Sequence, residues 1–422
     1  MTRNTWGLLG PEFLSGARRT RTLGLASAVR YFNDRAVPGV GGIWYGKQLF
    51  LALLGVAVAE SAARQSPKFK ASKIQVDNAI EALACWSALK QSESDPRLRG
   101  REKLAGKQAK DFAFSWACKP GFYLTQPMRM QTVQPLPALG FVCAAGERFN
   151  SFSSTADGRN FVDAACNGYK PYKHDVVTHL TGWVLGEHID VESKELSDAL
   201  SPLVAMPVLA SQLLQERLQQ GNTPDAERRR NAFAWIKIMK PGQDANALAS
   251  GLIGTNHWRD IEVGAVFLAL HDLAISALDA VEVGMGFECS IEDGTKKAAT
   301  QLQNLKTAAQ NFLDYEHIDR KDAVEFCNAC VAEPKTALQS LVRRDDTVLR
   351  LEGEKIKRGP AFLGKLIQAS IDNLETTGDT PVPPSLSHRF RNMYRLNLDL
   401  NGQLHEWLQA RNQNDGGQNE QE

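Results

Sequence analysis

From residue 43 onward the apolar positions fall mostly at helical spacing, interrupted by short Gly- and Pro-containing stretches. Residues 43–64 are apolar around most of the helical circumference, which predicts a helix buried on all sides. Ser72 is placed to cap a second helix that carries Ile74, Ile80, Leu83, Ala84 and Trp86 inward. Residues 97–117 predict a third, with a basic face of Arg99, Arg101, Lys103, Lys107 and Lys110 and with Phe112, Phe114 and Trp116 near its end.

Beyond a polar connector at residues 167–173 the pattern stays helical. Helices are predicted over 174–186, 193–220, 223–239, 244–252, 258–281, 293–312, 320–331, 334–342, 362–374 and 386–411. Pro202 and Pro207 should break the second of these, because each removes a donor and clashes with the preceding turn. Residues 263–278 are apolar around most of the circumference and predict a central helix. Residues 347–356 alternate like a small hairpin with Gly353 at its turn. The tail 412–422 is polar low complexity and reads as disordered.

Residues 125–162 carry the most suggestive pattern. Thr125 and Pro127 suit the start of a short helix bearing Met128, Arg129, Met130, Gln131 and Val133, which Pro135 and Pro137 limit. Residues 141–143 predict a strand, residues 148–153 a returning one, and Thr155 caps a helix through Arg159, Phe161 and Val162. A helix, then Leu136-x-x-Leu139-Gly140-Phe141-Val142, then a hairpin with Arg148 and Phe149, then Thr155-x-x-Gly158-Arg159-x-Phe161: this order resembles the C-terminal half of winged-helix DNA-binding domains. The resemblance implies that the helix before the Leu-Gly enters a major groove and the hairpin touches backbone or minor groove. Two features depart from the pattern: the two prolines crowd the recognition helix, and that helix holds one Arg and no Lys.

The resulting expectation is a mostly α protein. A basic arm spans 1–42, a winged-helix-like domain with a small β-hairpin spans 43–173, and an all-helical domain spans 174–411, followed by the tail.

Charge sharpens the expected partner. The net charge is +1, yet residues 1–173 hold 24 Lys and Arg against 12 Asp and Glu, while residues 174–422 hold 25 against 36. A basic half that includes the hairpin suits a polyanion such as DNA; two halves that face each other within one molecule would give the same counts. Candidate DNA contacts are Arg129 and Gln131 on the short helix, Arg148 and Arg159 around the hairpin, Lys119, and Arg18, Arg19 and Arg21 in the arm. Seven scattered cysteines form no disulfide framework, and with no signal peptide evident the expected compartment is the cytoplasm. The longest apolar run, residues 49–59, falls short of the ~20 residues a membrane helix needs, so no membrane association is expected.

Candidate chemistry is sparse. Cys327 and Cys330 form a CxxC, for which only Cys289 and His317 lie at a plausible distance as further zinc ligands; buried thiols on one helix face are the expected reading. His271-Asp272 resembles the dyad of HD-type metal-dependent phosphohydrolases, which would need further ligands such as His174, His179, His188 or His257. Asp346, Glu352, Glu354 and Lys357 loosely suggest a nuclease-type metal site, but with E-x-x-K spacing in place of E-x-K. No Walker A loop, GxSxG or HExxH occurs. The expectation is an accessory or regulatory DNA-binding subunit without cofactor, metal or catalysis of its own. Its helical half would bind a protein partner or a second copy. A protein-interaction scaffold and a metal-dependent phosphohydrolase or nuclease are the alternatives.

Overall fold

A computed structural model describes residues 21–90, 92, 95–239, 251–316, 318–364, 380–383 and 386–410. Arg18, Arg19, His317, the tail 412–422 and most of the helices expected over 244–252 and 362–374 lie outside the described residues. The protein is mostly helical, at 63% helix and 5% strand.

The chain begins with α1 (Ala26–Ala36), α2 (Gly46–Gln65) and α3 (Lys73–Leu89). A hairpin of β1 (Val142–Ala144) and β2 (Phe152–Ser154) follows, then α4 (Ala156–Cys166), α5 (Val176–Leu185), α6 (Lys194–Leu200), α7 (Val208–Gln219) and α8 (Pro224–Ile238). Next come α9 (Thr255–Gly284), β3 (Glu288–Ser290), α10 (Ile291–Lys297), α11 (Ala299–Leu313), α12 (Lys321–Cys330) and α13 (Pro334–Asp345). The last elements are β4 (Leu349–Glu352), β5 (Lys355–Arg358) and α14 (His388–Leu400).

Two compact units result. One contains described residues 21–35, 258–364 and 386–387; the other contains 36–257, 380–383 and 388–410. In the first, α9 buries a stripe of Val263, Phe267, Leu270, Ala274, Ala277, Leu278 and Val281, spaced three and four apart as one helix face requires. Phe32, Phe267 and Phe312 meet there with ring centroids 4.7–5.9 Å apart. The expected all-helical C-terminal domain needs correcting at this point. The hairpin of β4 and β5 is joined by β3, antiparallel, in the order β3-β5-β4, with Ile356 opposite both Cys289 and Leu351. Three residues are too few to show an alternating pattern, so the sequence hid β3.

In the other unit α2 is the axis. Fourteen of its residues are buried, and it packs against α3, α4, α5 and β2. A Cβ on Gly55 would lie 2.6 Å from the Cβ of Asp77, so α2 and α3 approach as closely as they do because Gly55 lacks one. The boundary expected after residue 173 falls inside this unit, because α5 belongs to the same core: Trp183 is fully buried and its Nε1 donates to the Phe112 carbonyl at 2.8 Å.

Local departures have local causes. The helix expected over 97–117 is three single turns, Arg101–Leu104, Ala109–Phe112 and Phe114–Ala117. Gly106 interrupts it at φ +75°, a conformation that glycine adopts without a Cβ clash. The helix expected around Met128 is a 3-10 turn, Met128–Gln131, followed by a turn at Pro135–Ala138. By length and composition α2 and α9 could each cross a bilayer; their most apolar windows are 78% and 39% buried in the protein.

A candidate polyanion groove beside the hairpin

The hairpin is pinned to the ends of α2 and α3. Ser72 caps α3, its hydroxyl accepting from the Gln75 amide while the Gln75 side chain accepts from the Ser72 amide. Glu60, in the last turns of α2, accepts from the Ser154 amide at 3.0 Å. Lys73 donates to the Phe152 carbonyl and lies 3.8 Å from Glu60. The Ile74 amide, one of the free donors at the head of α3, is taken by Asn150 Oδ1 at 3.0 Å.

These contacts leave an open groove of about 500 Å³ between the C-terminal turn of α2, the segment 69–73 and the hairpin. Arg64, Lys70 and Lys73 line it, with Ser72, Asn150 and Ser153 as neutral hydrogen-bonding groups and Phe69 as an apolar wall. Its single carboxylate, Glu60, already accepts from Ser154 and pairs with Lys73. Arg64 and Lys70 are exposed. Arg64 and Lys70 therefore leave the groove with excess positive charge, and the dipole of α3 adds to it, which together favour a phosphate-bearing ligand.

Of the residues that the sequence singled out, two border this hairpin. Arg148 is exposed in the connection 145–151, where its carbonyl accepts from Ser151 at the start of a 3-10 turn. Arg159 is exposed in the first turns of α4, and its Nη1 donates to the Ser154 carbonyl at 2.7 Å. Lys119 is exposed elsewhere, its ammonium 3.5 Å from the centre of the Trp116 ring.

The remaining candidates are engaged internally. Arg129 is only 11% exposed, with Nε 3.1 Å from Asp77 Oδ2 and the guanidinium over the Phe149 ring. Asp77 is buried beside Glu81, one turn on, and burial lifts both carboxyls above their ordinary range. Glu81 accepts from the Tyr123 hydroxyl and from the Met128 and Arg129 amides, so this pair ties the segment 123–131 to α3. Gln131 accepts from the Gln48 side chain at 2.5 Å. In the other unit, Arg21 is 4% exposed and meets Glu282 at 2.8 Å, Asp345 at 3.1 Å and Asp279. Its charge is spent on three carboxylates inside the fold.

The metal candidates are dispersed. His271 lies 3.6 Å from an Asp272 that is 83% exposed, in the unit that does not contain His174, His179, His188 or His257. Cys327 and Cys330 are buried in the core of α12, and burial pushes both thiols up to about 12. Glu352 pairs with Lys357, and Glu354 with Lys335, as solvent-facing ion pairs. Among the described residues no group of three or more His, Cys, Asp or Glu side chains is arranged to hold a metal ion.

Arg64, Lys70 and Lys73 escaped the sequence reading, although a signal existed. The run Lys68-x-Lys70-x-Ser72-Lys73 places cations immediately before a capped helix. No family model matches this chain, and neither a curated protein nor a solved structure matches it.

Proposed function

We propose that this protein binds DNA without catalysing a reaction on it, with the phosphate backbone lying along the groove beside the hairpin. One observation carries the reading: Arg64, Lys70 and Lys73 converge with the head of α3 on an open groove whose single carboxylate is already engaged. The basic balance of residues 1–173 supports it. In the winged-helix comparison the hairpin would be the docking element, with Arg148 and Arg159 flanking it. Arg129 and Gln131 take no part in base reading on this view, since both hold the interior together. Binding of this kind follows the backbone and carries little sequence information. The other, helix-rich part of the chain is the proposed protein-binding region, in keeping with an accessory or regulatory role.

A gel-shift titration of the full chain with a blunt 20-base-pair duplex at low salt tests this. A retarded band that Arg64→Glu with Lys70→Glu abolishes is the expected result; wild-type protein that shifts no duplex would refute it. The scaffold reading, in which the hairpin contacts only protein, has one observation in its favour: the adjacent Val208 and Leu209 at the start of α7 stand 74% and 53% exposed.

A further inference from the structure

The segment 97–122 has a use that the groove does not explain. It holds Arg99, Arg101, Lys103, Lys107, Lys110 and Lys119 against Glu102 and Asp111, while Arg97 is buried against Asp95. Within it, aromatic rings and lysines alternate. Trp86 of α3 packs tilted against Phe112 at 4.5 Å, Phe112 meets Phe122 edge-on at 5.3 Å, and Trp86 Nε1 donates to the Lys107 carbonyl at 2.9 Å. Lys107 lies 4.2 Å over the Phe122 ring and Lys119 lies 3.5 Å over Trp116. Backbone bonds from Lys119 to Trp116 and from Phe122 to Lys119 make the two rings part of one turn.

Trp116 is the exception in this set. Phe112 is fully buried and Trp86 nearly so, whereas the Trp116 indole is 60% exposed. The turn Phe114–Ala117 anchors itself through Phe114 and Ala117 and turns Trp116 outward. Phe114 packs edge-on to Trp183 at 5.5 Å, which fixes the turn rigidly beneath the exposed ring. An exposed indole with Lys119 over one face, and a second lysine over Phe122, provides what an unpaired nucleotide requires at the face that Lys119 leaves open. The base stacks on the π-face, and the flanking phosphates find cations.

We infer that this surface binds single-stranded DNA, with Trp116 stacking on an unpaired base and Lys119 and Lys107 meeting the adjoining phosphates. The inference rests on the nucleic-acid reading above and adds that the preferred ligand contains an unpaired stretch. A duplex exposes base faces only at its two ends, whereas every unpaired base can offer one to the indole, so the two surfaces separate by substrate.

Fluorescence anisotropy of the full chain on a labelled 15-mer of dT and on a blunt duplex of the same length is the test. Trp116→Ala should weaken dT binding about 10-fold and duplex binding less than about twofold, as loss of one stacked base predicts. Trp116→Phe should restore most of the loss, which separates stacking from damage to the fold. Lys119→Ala should weaken dT binding and reduce its salt dependence by about one phosphate. Unchanged dT affinity in Trp116→Ala, or equal loss on both ligands, would overturn the inference. Binding of duplex but not of dT by the wild type would overturn it and leave the groove reading intact. Wild type that binds neither would remove both.

Discussion

Lys47 shows how much a single buried charge shapes this molecule. It sits in the first turn of α2, is 2% exposed, donates to the Ala199 carbonyl, and burial lowers its ammonium to about 8. In the unfolded chain it titrates near 10.5. Between those values the unfolded chain binds the extra proton, so stability attributable to Lys47 rises with pH from about 8 to about 10.5. Below 8 the buried ammonium costs on the order of 3 kcal/mol with its own contacts included, while a Met in its place would leave the Ala199 carbonyl unpaired at a cost of about 1 kcal/mol. Lys47→Met should therefore be more stable than wild type by about 2 kcal/mol at pH 7, and the gap should close by pH 10. Urea denaturation of both proteins across that range measures it; a gap independent of pH would contradict the assignment. Arg129 makes the complementary case. Its removal strands Asp77 in the interior, so Arg129→Ala should lose about 3–5 kcal/mol at neutral pH. Because burial holds the Asp77 carboxyl above its ordinary range, the folded variant takes up a proton more readily than the unfolded chain, and the deficit should shrink as pH falls. A deficit that grows on acidification would show that the pair is not what Arg129 supports. Neither role was visible in the sequence. An Arg between methionines looks like an exposed cation until the chain folds Asp77, in the second turn of α3, against it.

At the scale of elements, the hairpin with the two helices it docks on is the proposed binding unit. Arg148 and Arg159 are exposed and hold no core contact, so their alanine variants should melt within about 1 kcal/mol of wild type. Each should weaken duplex binding on all sequences alike and lower the salt slope by about 1. Duplex affinity unchanged in both, measured by anisotropy, would remove the hairpin flank from the interface. Elements with strong end signals were the legible ones. Ser72, Thr155, Asp175, Thr223 and Ser290 each cap a helix with a side-chain oxygen, and the first four stand at or next to the starts expected. The strand near residue 142 and the hairpin around Gly353 were legible for the same kind of reason, whereas the returning strand expected over 148–153 is a 3-10 turn at Phe149–Ser151, and only Phe152–Ser154 pairs with β1. The basic helix over 97–117 was not. Its periodicity is helical, yet Gly106 in the left-handed region and the demand of Phe112, Phe114 and Trp183 for one core break it into turns. Packing outweighed propensity there, which also left Trp116 outside.

At the scale of the whole molecule, the opposition of a basic N-terminal stretch and an acidic remainder has two physical meanings, attraction of a polyanion or attraction within the chain. Salt distinguishes them, because counterion release from a nucleic acid gives a linear loss of log affinity with log salt. The groove was only half legible at this scale, because Arg64, Lys70 and Lys73 are close in sequence while Asn150 and Ser153 come from the hairpin, which only its docking on α2 and α3 brings to them. The most direct measurement is the affinity of the full chain for a blunt 20-base-pair duplex between about 50 and 200 mM salt, for wild type and for Arg64→Glu with Lys70→Glu. The exposed groove cations Arg64 and Lys70, with Arg148 and Arg159 on the flank, predict a wild-type slope of about −3 or steeper, and the charge-reversed protein should bind at least 100-fold more weakly at low salt. Equal affinities and equal slopes in the two proteins would contradict the groove as the binding site.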